Sequence, residues 1–141
     1  GTFSVVVENC TEHSEFLFGG EWFEAGGWKG ERVTSFEERA TLHFENKVLL
    51  QGVSGYVYYQ NADHTMFFLL VFACPVTTAC CFTARATPVL PHCQALFERV
   101  PDMARPRSGF RRADGCAWET RALRSQHATV RCVVLSSDSS R

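Results

Sequence analysis

The chain has 141 residues, 45% of them apolar and 21% charged, with a net charge of −1. That length supports one domain with its own core, and that composition excludes disorder over the whole chain. A balanced charge sets up no global field for nucleic acid, and no apolar run is long enough to cross a bilayer as a helix.

In chain order, Thr2 to Val7 is rich in β-branched residues and predicts a first strand, followed by a polar turn over residues 8–14. Residues 15–23 carry Phe16, Phe18, Trp22 and Phe23 around Gly19-Gly20, which predicts strand, bend, strand. Residues 24–30 hold three glycines and Trp28, a loop that would expose its aromatic residue. Short alternating segments follow at 33–38 and 40–45, with Leu42 and Phe44 on one face. Residues 48–51 lead into a hairpin. Its first strand, 53–59, is rich in Tyr and Val, and its turn is Asn61-Ala62-Asp63-His64. Its second strand, 66–73, is almost continuously apolar and ends at Cys74-Pro75. Such a run fits a strand buried on both faces, so this hairpin is the expected centre of the core.

Residues 76–86 predict a further strand, and Thr87-Pro88-Val89-Leu90-Pro91 a break. A helix is expected over His92 to Val100, with Leu96, Phe97 and Val100 at helical spacing between Pro91 and Pro101. A loop with Arg105 and Arg107 comes next, then strands at 110–123 and 128–135. Residues 136–141 read as a polar tail to one domain spanning 1–135. Many short strands, glycine-rich turns and one helix indicate an antiparallel β-sandwich.

Charge is unevenly spread. Residues 1–50 carry nine acids against four bases, whereas residues 85–141 carry ten arginines against five acids. The two halves either pair across one surface or leave a basic patch for anionic headgroups or glycans. In the second case Arg105, Arg107, Arg111 and Arg112 are the candidate contacts, because long cationic side chains beside a loop reach phosphates and sulfates. Seven cysteines is an odd number, so at least one is free or pairs between chains. Asn9-Cys10-Thr11 fits the N-glycosylation pattern, which makes Asn9 a candidate acceptor in a secreted protein.

Catalytic patterns are missing. There is no Gly-x-Ser-x-Gly, no phosphate-cradling glycine loop and no His-Glu-x-x-His. Cys80, Cys81, His92 and Cys93 stand in adjacent pairs, not at the two-to-four spacing of structural zinc ligands. No metal, cofactor or catalytic set is called for, and the chain reads as a non-enzyme. The aromatics Trp22, Trp28, Tyr56, Tyr58, Tyr59 and Trp118 are the better lead, since their polar tips suit interfaces and sugar faces.

The order of segments resembles the actinoporin-like family, which comprises sea-anemone pore-forming cytolysins, related animal proteins and the similarly folded mushroom fruit-body lectins. The resemblance rests on Phe3-Ser4-Val5-Val6-Val7-Glu8-Asn9, on the hairpin from Gly52 to Pro75, on His92 to Phe97 and on residues 128–135. It implies an actinoporin-like antiparallel β-sandwich with one short flanking helix. It also implies a membrane-peripheral, secreted or extracellular module that binds lipid headgroups or cell-surface glycans. The family's inserting N-terminal helix has no counterpart here, because only Gly1 and Thr2 precede Phe3, so pore formation is not expected. Of the family's phosphocholine pocket, Pro75 matches. Ala73 stands at its Ser position, and Cys93, Phe97 and Glu98 stand at its Tyr positions. The resulting candidate contacts are Trp28, Pro75, Phe97 and the four arginines. The reading is a non-catalytic binder of membrane lipid, with a carbohydrate-binding lectin on the same fold as the alternative.

Overall fold

A computed structural model describes residues 2–76, 81–100, 111–113, 116–119 and 127–134, with side chains described over 2–9, 11–76 and 82–100. Its described strands are β1 Thr2–Cys10, β2 Phe16–Ala25, β3 Gly27–Trp28, β4 Ser35–Phe36, β5 Arg39–Glu45, β6 Val53–Gln60, β7 Phe67–Cys74, β8 Cys81–Thr87, β9 Arg111–Ala113, β10 Cys116–Glu119 and β11 His127–Val134. The helix α1, Cys93–Glu98, lies between β8 and β9. The strands form two sheets, in the orders β3-β5-β1-β11-β10-β9 and β4-β2-β6-β7-β8. The fold is an all-β sandwich with one short helix, as expected. All pairings are antiparallel except β1 with β11, which run parallel from Ser4↔His127 to Cys10↔Val133. A parallel pair needs a long crossover, and here almost the whole chain supplies it.

The apolar hairpin is the centre. β7 pairs with β6 on one side and β8 on the other, so both its edges are used. Its side chains alternate between two buried environments. Phe68, Leu70, Phe72 and Cys74 join the inter-sheet core with Phe3, Val5 and Val7 of β1 and Leu42 and Phe44 of β5. Leu69 and Val71 face the other way, into a second cluster under α1 with Leu96, Phe97 and Val100. Phe72 bridges the sheets, its ring centroid 4.6 Å from Phe44 and 5.3 Å from Phe3. The polar turn of the hairpin is held by one buried residue. Asn61 Oδ1 accepts from the Thr65 and Met66 amides at 2.9 Å, which ties the turn on both sides of His64.

Several expectations need correction. β1 runs on through residues 8–10, because Glu8 pairs with Arg39 and Cys10 with Val133. Gly19-Gly20 does not bend the chain into two strands. β2 is continuous, with a bulge between Phe18 and Gly20, and the glycines let the Tyr58 ring lie against the backbone. A Cβ at Gly20 would sit 2.7 Å from that ring. Part of the loop at 24–30 is strand, since Gly27 and Trp28 pair with Glu45 and Phe44. The single strand expected over 110–123 is replaced by two, β9 and β10, paired with each other. The tail at 136–141 lies outside the described residues.

Leu70 is fully buried at the centre of β7. Leu70→Ala should cost roughly 2–5 kcal/mol in equilibrium unfolding, and Leu70→Asp should abolish cooperative folding because its charge has no partner there. A soluble Leu70→Asp variant with a sharp thermal transition would contradict this packing.

Candidate functional site

Two features stand apart from the packing, one on a sheet face and one at an end of the sandwich. The first is the outer face of the β2-β6-β7-β8 sheet, next to α1. β6 brings Tyr56 and Tyr58 to this face, and the register sets Trp22 opposite Tyr56. Trp22 and Tyr56 stack with centroids 5.9 Å apart, and Phe97 of α1 meets Trp22 edge-on at 5.2 Å. Trp22, Tyr56 and Tyr58 remain half-buried, forming a shelf beside the helix. Burial pushes the Tyr56 hydroxyl up, helped by Cys93 and Tyr58 nearby, so it stays a neutral donor. One step nearer the end of β6, Ser54 Oγ donates to Glu24 Oε1 at 2.9 Å, which places an exposed carboxylate beside the shelf. On β8, across Leu69 from Tyr58, the Arg85 Nε is buried without a hydrogen bond among the described residues.

α1 is held over this face by its N-terminus. His92 caps it, its Nδ1 accepting from the Ala95 amide at 3.4 Å. Cys93 is buried and free, and its thiol donates to the Pro91 carbonyl at 3.4 Å. Burial pushes that thiol's pKa up. Cys74, by contrast, is disulfide-bonded.

The second feature is the loop between β5 and β6. Val48, Leu49 and Leu50 are 55%, 84% and 79% exposed, and Val76 across the end is 55% exposed. A cleft of about 200 Å³ separates the two sides, lined among others by Leu49, Leu50, Gly52, Pro75 and Val76. The loop closes as a four-residue turn, the Gln51 amide donating to the Val48 carbonyl at 3.1 Å. Leu50 is its third residue, at φ +67°. That position favours glycine or asparagine, and a leucine there costs roughly 1 kcal/mol.

The candidate residues read from the sequence are spread over several places. Pro75 is exposed and lines the cleft. Phe97 is buried under α1 and forms part of the shelf's floor, together with Cys93 and the half-buried Ala73, while Glu98 is exposed. Trp28 is not the exposed aromatic expected. It is half-buried, its ring 4.6 Å from Phe44, and its indole N–H donates to Glu21 Oε1 at 2.7 Å. Asn9 is engaged on both sides of its amide. Its Nδ2 donates to the His13 and Glu37 carbonyls at 2.8 Å, and its Oδ1 accepts from the Thr11 hydroxyl at 2.6 Å. N-linkage would remove one of those Nδ2 hydrogens and the bond it makes. Arg111 and Arg112 are successive residues of the edge strand β9, while Arg105 and Arg107 lie outside the described residues. Leu49 and Leu50 were missed as site residues. Trp22 and Tyr56 stood among the aromatics singled out in the sequence, but only the β2–β6 register joins them.

Among the described residues, no group of three His, Cys, Asp or Glu side chains is placed to hold a metal, and no helix is long and apolar enough to cross a membrane. No protein-family model and no curated protein sequence matches the chain. Among solved structures, the chain is similar to the crystal structure of the lipid binding protein Nakanori, with a TM-score of 0.67 at 11% identity. That match covers 94% of this chain and 69% of the other. At that identity the likeness is one of fold.

A buried thiol and a buried phenol give the fold a pH signature. Burial raises Cys93, and it raises Tyr59, whose hydroxyl also donates to the Val33 carbonyl at 2.8 Å. The folded state therefore prefers both groups neutral. Stability should hold below the unfolded thiol pKa of about 8.5 and fall as pH climbs past it and then past about 10. Melting temperature against pH would show this, and Cys93 should resist alkylation at neutral pH until denaturant is added. Rapid native alkylation of Cys93 would contradict its burial.

Proposed function

We propose that this protein is a non-catalytic module that binds the surface of lipid membranes and takes a quaternary-ammonium headgroup on the shelf formed by Trp22, Tyr56 and Tyr58. The observation that carries this reading is an aromatic shelf on the outer face of β6, the strand that the exposed apolar loop leads into. Stacked aromatic faces attract an onium cation through their quadrupoles, and a nearby carboxylate such as Glu24 adds to that attraction. Tyr56 stands four residues along β6 from Gly52, about 13 Å at strand rise. The headgroup layer of one leaflet is only about 5–7 Å deep, so the sandwich would have to tilt toward its α1 side for loop and shelf to engage together. The similarity in fold to a protein named as lipid binding supports the same reading. Kinship with actinoporin-like proteins and a secreted or extracellular location belong to the proposal, and the Cys74 disulfide fits an oxidising compartment.

The arginines of the C-terminal part are a second contact with anionic headgroups in this reading, and their share of binding should weaken with salt. The lectin reading uses the same stacked rings, because a sugar face packs on Trp22 and Tyr56 as well. It gives no role to Leu49 and Leu50.

Co-sedimentation with phosphatidylcholine vesicles, run beside a glycan array, separates the two. The protein should pellet with the vesicles and give no glycan signal. Tyr56→Ala and Glu24→Gln should each weaken vesicle binding several-fold, by the loss of a cation–π contact or its supporting charge. Glycan binding without vesicle binding would establish the lectin instead.

A further inference from the structure

We infer that Leu50, with Leu49 beside it, is a hydrocarbon anchor, held outward by its turn so that it enters the acyl-chain boundary of a bilayer. The inference rests on the membrane-binding reading and adds to it a second, headgroup-independent contact. Three observations converge. Leu49, Leu50 and Val76 form an exposed apolar rim around one cleft at the end of the sandwich, with the exposed Val48 next to Leu49 in the turn. Leu50 occupies the turn position that asks for glycine or asparagine, with φ +67°. Its side chain is 79% exposed, so burial within the fold does not offset that backbone cost. Among the described residues nothing covers the leucine, so neither its wetted side chain nor the backbone cost is offset by packing.

The occupant is specified by chemistry and shape. The tip is a narrow turn of aliphatic side chains, not a flat apolar face such as a second copy would need. It is branched hydrocarbon without aromatic or polar tips, which suits acyl chains better than headgroups or sugars. A segment entering hydrocarbon must also satisfy its own backbone. The Val48 carbonyl already accepts two hydrogen bonds, from the Gln51 amide and from Asn46 Nδ2, each at 3.1 Å. At the base of the loop, the Lys47 ammonium sits 2.9 Å from Glu45 Oε2 and donates to the Trp28 carbonyl, which puts charge at the depth where water and phosphate begin. Two leucines at a tip give a shallow insertion, not a crossing.

The test compares wild type, Leu50→Asn and Val89→Asn. Val89 is 74% exposed and follows β8, whose end at Thr87 pairs with Phe67, opposite the Pro75 end, so it controls for loss of any exposed valine or leucine. Each protein is measured for melting temperature, for sedimentation coefficient and for binding to vesicles of phosphatidylcholine, alone and mixed with phosphatidylserine. Asparagine suits the left-handed turn, so Leu50→Asn should melt no lower than wild type. It should bind both vesicle types about tenfold more weakly, the loss of one leucine from hydrocarbon. Val89→Asn should bind as wild type does. Unchanged binding by Leu50→Asn would overturn the anchor and leave the membrane reading in place. A clear drop in its melting temperature would show that the leucine serves the fold, and a change in sedimentation coefficient would show that it serves self-association. Failure of wild type to bind either vesicle would remove the membrane reading itself.

Discussion

Strand β7 has to be covered on both faces, and most of the architecture follows from that requirement. Leu69, Leu70, Val71 and Phe72 are all fully buried in consecutive positions. Alternate residues of a strand point to opposite sides, so no single layer can cover them. The six-stranded sheet takes one side, through Phe3, Val5, Leu42 and Phe44. The other side is too large for a six-residue helix alone. α1 covers Leu69 and Val71 with Leu96 and Phe97, Val100 just beyond the helix joins them, and Trp22, Tyr56 and Tyr58 complete the cover as half-buried neighbours. The shelf is therefore a by-product of core physics. Beside the described helix the aromatic rings are packed underneath and half-buried.

The same requirement explains which parts of the fold were legible. The run from Met66 to Ala73, closed by Cys74-Pro75, announces a doubly buried strand, and the Asn61 to His64 turn announces its partner. Pro91 and the spacing of Leu96, Phe97 and Val100 announce the helix. What escaped reading depended on contacts distant in sequence. Gly19-Gly20 reads as a bend because glycine is permissive, yet it remains in β2 because the Tyr58 ring fills the missing side-chain space. Gly27-Trp28 becomes a strand only because β5 offers it an edge. The parallel pairing of β1 with β11 joins the first strand to the last, and no local pattern encodes it.

The candidate site was less legible than the fold, for a related reason. Trp28 sits among glycines and reads as an exposed loop aromatic, but Glu21 and Phe44 draw it in. Val48-Leu49-Leu50 reads only as the lead into the hairpin, because apolar residues next to a strand usually signal burial. Its exposure is visible only once Gly52 and Pro75 are seen to end the sandwich there. The proposed site lies where the hydrophobic pattern and the burial disagree, and a single sequence shows only the pattern.

The shelf and the loop are also rigidly related, which decides how they can act together. Gly52 passes so close to the end of β7 that a Cβ there would collide with the Cys74 carbonyl. Cys74 is itself disulfide-bonded, and Val53 pairs with it at the first position of the β6–β7 ladder. The exit of the loop is thereby pinned to the strand whose outer face carries the shelf. Two contacts on one rigid body share a single loss of rotational freedom, so the second adds to affinity without repeating the entropic cost of the first. A weak headgroup contact and a shallow hydrocarbon contact would each be marginal alone. Held at a fixed separation along β6, they can be engaged together by only one tilt of the sandwich, and that tilt turns the α1 side toward the headgroups.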